Sequence, residues 1–159
     1  MARTSYTPTD DQLRQAPPRV LYELNMFFGS FEACMRLNKD HEAVLYNTAL
    51  EATLLHARNL LDFFTGDPTP KDDIRAPHFI AVPGGGWWKS SQLGLLSSLR
   101  DDLNYSISHL TYRRTSGKPQ WDLARIAGEV RAAFEEFLGL LPEHEQSRWK
   151  PNHKIHRTR

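Results

Sequence analysis

The chain has a single cysteine, no long apolar run and almost no net charge, and each shortage removes a class of protein. Cys34 stands alone among 159 residues. No internal disulfide can form, so burial has to hold the fold. A chain of this length is expected to form one domain that buries about 68–70% of the surface its unfolded form exposes, which makes staples unnecessary. No stretch reaches the roughly 18 apolar residues that cross a bilayer, and no charged-then-apolar leader opens the sequence. The expected location is the cytoplasm, with no membrane contact. Twenty basic residues face 19 acidic ones, for a net charge of +1. The final stretch "RWKPNHKIHRTR" holds five of the basic residues and no acid, leaving 15 against 19 in the body. The body therefore lacks a nucleic-acid footprint, and only the tail resembles one.

What is present is helical periodicity, in four segments. After the "PP" start signal, Val20, Leu21, Leu24, Phe27, Phe28, Phe31 and Met35 recur at three- and four-residue spacings and predict a helix over about Pro18 to Leu37. A second runs from an N-cap-like Asp40 through "AVLYNTALEATLLHARNLLDFF" to Phe64, stopped by Gly66 and Pro68. It is apolar almost all round: Ala49, Leu60 and Phe63 gather on one side and Leu50, Leu54, Ala57 and Leu61 on another, so neighbours are expected to cover two sides. The next 25 or so residues, "GDPTPKDDIRAPHFIAVPGGGWWKS", are too rich in proline and glycine for regular helix. Phe79, Ile80, Val82, Trp87 and Trp88 favour a loop packed down by its own apolar side chains. A third helix is expected from Ser91 to Arg113 on the stripe Leu96, Leu99, Leu103, Ile107 and Leu110. A fourth starts at the N-cap Asp122, carries Ile126, Val130, Phe134, Phe137, Leu138 and Leu141, and ends before Pro142. The expected fold is all-α: a four-helix up-and-down bundle over about residues 18–141, with a long Pro/Gly-rich loop between helices two and three. Residues 1–16 and 148–159 are expected as extended arms.

The polar groups on these apolar helices are the candidates for function. Asn47, Glu51, Arg58 and Asp62 fall within about 60° on an ideal wheel. They form either the solvated edge of a buried helix or a charged lining for a groove or dimer seam. His56 points to the Ala49/Leu60 side, as a neutral histidine satisfied by one partner would. On the third helix Arg100, Asn104 and Thr111 occupy one flank, while Ser98, Asp102, Tyr105, His109 and Arg113 occupy the other. Histidine titrates near neutrality, tyrosine stacks, and arginine forks onto phosphate or carboxylate, so that face suits a phosphodiester or, equally, another helix.

The run "LLHARNLLDFF", a Pro-rich connection, "LNYSISHLTYRR" and "WDLARIAGEV" together resemble uncharacterised bacterial proteins of the HEPN-like class over roughly Glu42 to Leu141. The resemblance implies a small helical bundle that dimerises, acting as a binding or accessory module in a defence or toxin–antitoxin setting. In ribonuclease members of that class, an arginine and a histidine a few residues later build a composite site at the dimer interface. Here Asn104 precedes His109 with four residues between them, at the right spacing but with asparagine where arginine is expected. Asparagine orients a phosphate but does not neutralise its developing charge. The alternative function is thus a metal-independent ribonuclease with His109 as acid/base, Asn104 and Arg113 holding the phosphate, and Tyr105 or Tyr112 stacking a base. Arg58, Asp62 and Asp102 complete the expected binding residues. The expected partners are a second copy, RNA, or a protein of unknown type.

Metal and nucleotide chemistry have little support. No histidine pair has i,i+3 or i,i+4 ligand spacing and no Glu-x-x-His occurs, so neither a metal nor another cofactor is expected. "PGGGWW" lacks the Walker lysine spacing and reads as a turn with an aromatic anchor. Cys34 lies on the apolar side of the first helix, where a buried inert thiol is expected.

Overall fold

The computed structural model describes residues 6–69, 71–82, 85–108 and 120–150, without the side chains of 106–108. Among these the chain is all-helical, with no strand. In chain order the helices are α1 (Asp10–Arg36), α2 (Ala43–Thr65), α3 (Gly94–Ser98), α4 (Arg100–Ser108), α5 (Leu123–Leu140) and α6 (Glu143–Gln146). Short 3-10 turns lie at Ala76–His78 and Ser147–Trp149. No described helix is long and apolar enough to cross a membrane.

α1 begins two turns before the expected start, so the segment expected as an extended arm to residue 16 is helical from Asp10. A capping box explains the shift. Thr9 Oγ1 accepts from the Gln12 amide at 3.3 Å, while the Thr9 amide donates to Gln12 Oε1 at 2.8 Å. Pro17 and Pro18 therefore sit inside the helix, where they offer no N–H to the carbonyls of Leu13 and Arg14. Arg148 repairs one of these losses by donating to the Arg14 carbonyl at 2.6 Å.

The start of α1 is thereby tied to the far end of the chain. Beside Arg148, Trp149 is fully buried, with its ring 4.7 Å from Phe137 and 4.9 Å from Phe79. Trp149 is accordingly part of the core and Arg148 is tied to α1 beside it, so these two residues are not the loose arm that their basic surroundings predict.

α2 is the centre. Leu60, Leu61, Ala57 and Phe64 are fully buried and Leu54 and Phe63 nearly so, as the two-sided wheel requires. α1 covers one side. α4, α5 and the 66–90 crossover cover the other. The crossover packs as expected: Ala76 and Ile80 are buried, and Phe79, Val82 and Trp88 lie against the core. It is pinned by Trp87 Nε1, which donates to the Gly66 carbonyl at 2.7 Å, and by the Ser90 amide, which donates to the Phe64 carbonyl at 3.1 Å.

The expected third helix is broken at Leu99 into α3 and α4. Ser98 Oγ donates to the Leu95 carbonyl at 2.6 Å, and such back-bonding bends or ends a helix. The short α3 is held from outside by Glu129 of α5, whose two oxygens accept from the Leu95 and Leu96 amides at 2.9 and 3.0 Å. α5 agrees closely with expectation. Asp122 caps it by accepting from the Arg125 amide, and Ile126, Val130, Phe134 and Phe137 are buried. Met35, expected in the core stripe, is 63% exposed, because it lies in the last turn of α1, beyond the reach of the neighbouring helices.

Two substitutions test this core. Leu61→Ala should lower stability by about 2–5 kcal/mol and Trp149→Ala by about 3–5 kcal/mol. Urea melts monitored by circular dichroism measure both, and a near-zero change for Trp149→Ala would show that the C-terminal segment does not dock.

Candidate functional site

The polar stripe of α2 divides between solvent and a helix contact. Asn47 and Glu51 are exposed. Arg58 and Asp62 are half-buried against α4. Asp62 forms an ion pair with Arg100, whose second terminal nitrogen donates to Thr65 Oγ1 at 2.9 Å. The Asp62 backbone carbonyl accepts from Arg75, and Arg75 also pairs with Asp73 at 2.8 Å. Three guanidiniums therefore converge on the last turns of α2, and two of them have carboxylate partners. Gly66 is needed at this point, since a Cβ there would collide with the Arg75 guanidinium.

α4 starts beside the last turn of α2, where Arg100 reaches Asp62 and Thr65. One turn from Asp62 on α2 lies Arg58, and one turn from Arg100 on α4 lies Asn104. Each therefore shares the edge of its own helix that carries the Asp62–Arg100 pair. Each has a buried polar atom without a hydrogen-bond partner among the described residues, Nε of Arg58 and Oδ1 of Asn104. Buried donors and acceptors are normally satisfied, because leaving one unmade costs about 1–3 kcal/mol. Nε of Arg75 and Nε1 of the buried Trp149 share this status, so the two candidate atoms stand out by their place on the α2 and α4 edges and not by being unpartnered alone.

The other candidates are less gathered. Asp102 is half-buried and Tyr105 is 42% exposed, both on α4. His109, Tyr112 and Arg113 lie outside the described residues. Arg100, which the sequence placed only on the Asn104 flank of the third helix and outside the expected site, is the partner of Asp62. The signal was available: Arg100 and Asn104 share one edge of α4, as Arg58 and Asp62 share one edge of α2.

A second polar cluster lies between α1 and α2. His56 is buried, with Nδ1 2.7 Å from Glu23 Oε2, which also accepts from Asn59 Nδ2 at 3.0 Å. The Tyr22 ring meets the imidazole edge-on at 5.9 Å. This is the satisfied core histidine that the wheel predicts, although Glu23 as its partner was not foreseen. Farther along, Thr53 Oγ1 donates to the Ala49 carbonyl at 2.8 Å and lies 3.0 Å from Ser30 Oγ and 3.8 Å from Cys34 Sγ. Burial pushes the Cys34 thiol above its ordinary pKa, which keeps it protonated and unreactive. Among the described residues no group of three histidine, cysteine or carboxylate side chains is placed to hold a metal.

No protein-family model, curated protein or solved structure matches the chain. The residues and their geometry alone carry the functional reading.

The surplus guanidinium makes a testable case. Replacing Arg58 with methionine keeps the packing stem and removes the unsatisfied donor, so Arg58→Met should leave stability within about 1 kcal/mol of the parent or raise it. Asp62→Ala, which strands Arg100, should lower it. Urea melts of the two variants decide, and a loss above about 2 kcal/mol for Arg58→Met would show that the arginine has a structural partner.

Proposed function

We propose that the protein is a HEPN-like module, a four-helix up-and-down bundle that works as a homodimer and binds a partner in a defence or toxin–antitoxin setting. The observation that carries the dimer is the outer face of α1. Tyr22 is 55% exposed and Met26 is 38% exposed, and with Gly29 and Ala33 they fall within about 60° on the side away from the core. Leu45 and Leu55 add exposed apolar positions on the adjoining α2.

The order along α1 is large, large, small, small. An antiparallel copy centred between residues 26 and 29 sets Tyr22 against the partner's Ala33 and Met26 against the partner's Gly29, a self-complementary match of the kind a two-fold axis requires. A Cβ at Gly29 would meet nothing within 4 Å in the chain itself. Glycine in a helix interior costs roughly 0.5–1 kcal/mol relative to alanine. An external neighbour accounts for that cost.

The alternative reading, a metal-independent ribonuclease, is favoured by the α2–α4 seam. The class motif wants an arginine where this sequence has Asn104. Arg58, on the facing helix and without a carboxylate partner, supplies the guanidinium the motif lacks. In this reading His109 acts as acid/base, Asn104 and Arg58 or Arg113 orient and neutralise the phosphate, and Tyr105 or Tyr112 stacks a base.

Two measurements follow. Gly29→Leu should raise helix propensity in a monomer but block the close approach in a dimer. Light scattering on the purified chain should show a dimer for the parent and a monomer for Gly29→Leu, and a monomeric parent removes the dimer proposal. Incubation with a mixed RNA pool in EDTA separates the two functions. The binding module leaves the pool intact, whereas the nuclease cleaves it and loses that activity in His109→Ala.

A further inference from the structure

We propose that a cavity of about 220 Å3 at the start of α1 binds a free α-amino acid with an apolar side chain. The cavity lies between the first turns of α1, the extended segment before it and the crossover at 72–79. It is separate from the α2–α4 seam and from the face assigned to a second copy. The amide of Tyr6 donates to the Thr69 carbonyl at 2.8 Å, and its hydroxyl is hydrogen-bonded to the Gln12 side chain, so the extended wall is fixed in place.

The lining has two characters. Leu13, Ala16 and Phe79 give an apolar floor. The rim carries Arg19 and Asp72, which have neither an ion pair nor a hydrogen bond with any described residue and do not pair with each other. Neighbouring Asp73 is already engaged by Arg75. One unspent positive charge and one unspent negative charge therefore flank an apolar hollow.

His78 adds a donor. Its Nδ1 accepts from the Arg75 amide at 3.3 Å, which places the proton of the neutral ring on Nε2. Burial, and then the nearby Arg75 charge, hold its pKa below the ordinary value, so the ring is neutral at pH 7.

These groups select a ligand class by exclusion. A phosphate or dicarboxylate that satisfied Arg19 would still meet the Asp72 carboxylate, and a simple amine that satisfied Asp72 would still meet Arg19. A zwitterion satisfies both rim charges at once, with the carboxylate toward Arg19 and the His78 N–H and the ammonium toward Asp72. The hollow is smaller than the roughly 300–1,000 Å3 of drug-sized pockets, which limits the guest to about the size of one amino acid. Its apolar floor prefers an aliphatic or aromatic side chain.

The test uses the full-length protein labelled with 15N, titrated with L-leucine and L-phenylalanine and with their N-acetyl and carboxamide derivatives. The amides of Leu13, Ala16 and Phe79 should shift saturably with the free amino acids. N-acetylation and amidation should each weaken binding about tenfold, the scale of one charge-assisted contact. Asp72→Asn should weaken the free amino acid but not the N-acetyl form, and Arg19→Gln should weaken it but not the amide. Both side chains are exposed and make no contact the fold uses, and thermal melts check that the variants are folded. Absence of saturable shifts with either amino acid overturns the proposal, and so does equal binding of the free and blocked forms.

Discussion

The fold depends on the burial of α2 from two sides. A helix with leucine, alanine and phenylalanine around most of its circumference cannot rest on a single neighbour, because the uncovered half would leave several hundred square ångströms of apolar surface in water. α1 covers one half. The other half is covered by elements distant in sequence: the proline-rich crossover, α4, α5 and, at the end, Trp149. The C-terminal turn is thus a structural part of the centre, and Arg148 at its edge supplies the donor that Pro18 denies to the Arg14 carbonyl. That bond links the first turns of α1 to the turn at Ser147–Trp149, while Trp149 itself packs on Phe63, Phe79 and Phe137.

The same constraint creates the polar seam. Where α4 lies against the last turns of α2, the helix edges that meet are not apolar, and charge has to be neutralised across the contact. Asp62 is engaged by Arg100 through its carboxylate and by Arg75 through its carbonyl. That arrangement leaves Arg58 without a counter-charge one turn away. A buried polar pair seldom stabilises a fold relative to a well-packed apolar one. Arg58 is half-buried, so its stem packs on the seam while Nε lies without a partner among the described residues.

Much of this was readable from the residues. Stripe periodicity located α2 and α5 to within a few residues, named the buried leucines, and found the cap at Asp122. The failures have local causes. The Pro17–Pro18 pair reads as a helix start because proline is tolerated at the first position; the capping box at Thr9 and a bond from Arg148, 134 residues away, overrule it. The break at Leu99 depends on a serine hydroxyl turning back on its own helix, which periodicity does not record. Trp149 was hidden by the basic residues around it. At the candidate site Arg58 and Asp62 were grouped on one helix, but the pairing of Asp62 with Arg100 is a contact between helices, and no single-helix wheel contains it.

The exposed apolar face proposed above to take a second copy and the polar seam use neighbouring edges of α2. Leu55 and Arg58 are three residues apart, about 60° round the helix. A second copy seated on Leu55 and the outer face of α1 would bring its own seam close to the shared axis, so that two surplus guanidiniums flank the contact. Those charges repel if nothing lies between them, at a cost that falls with salt. A phosphodiester in the gap reverses the sign of that term, making each charge a reason for the ligand to bind and for the dimer to persist. In the dimer proposed above, anion binding and pairing of the two copies would therefore be coupled through this charge term.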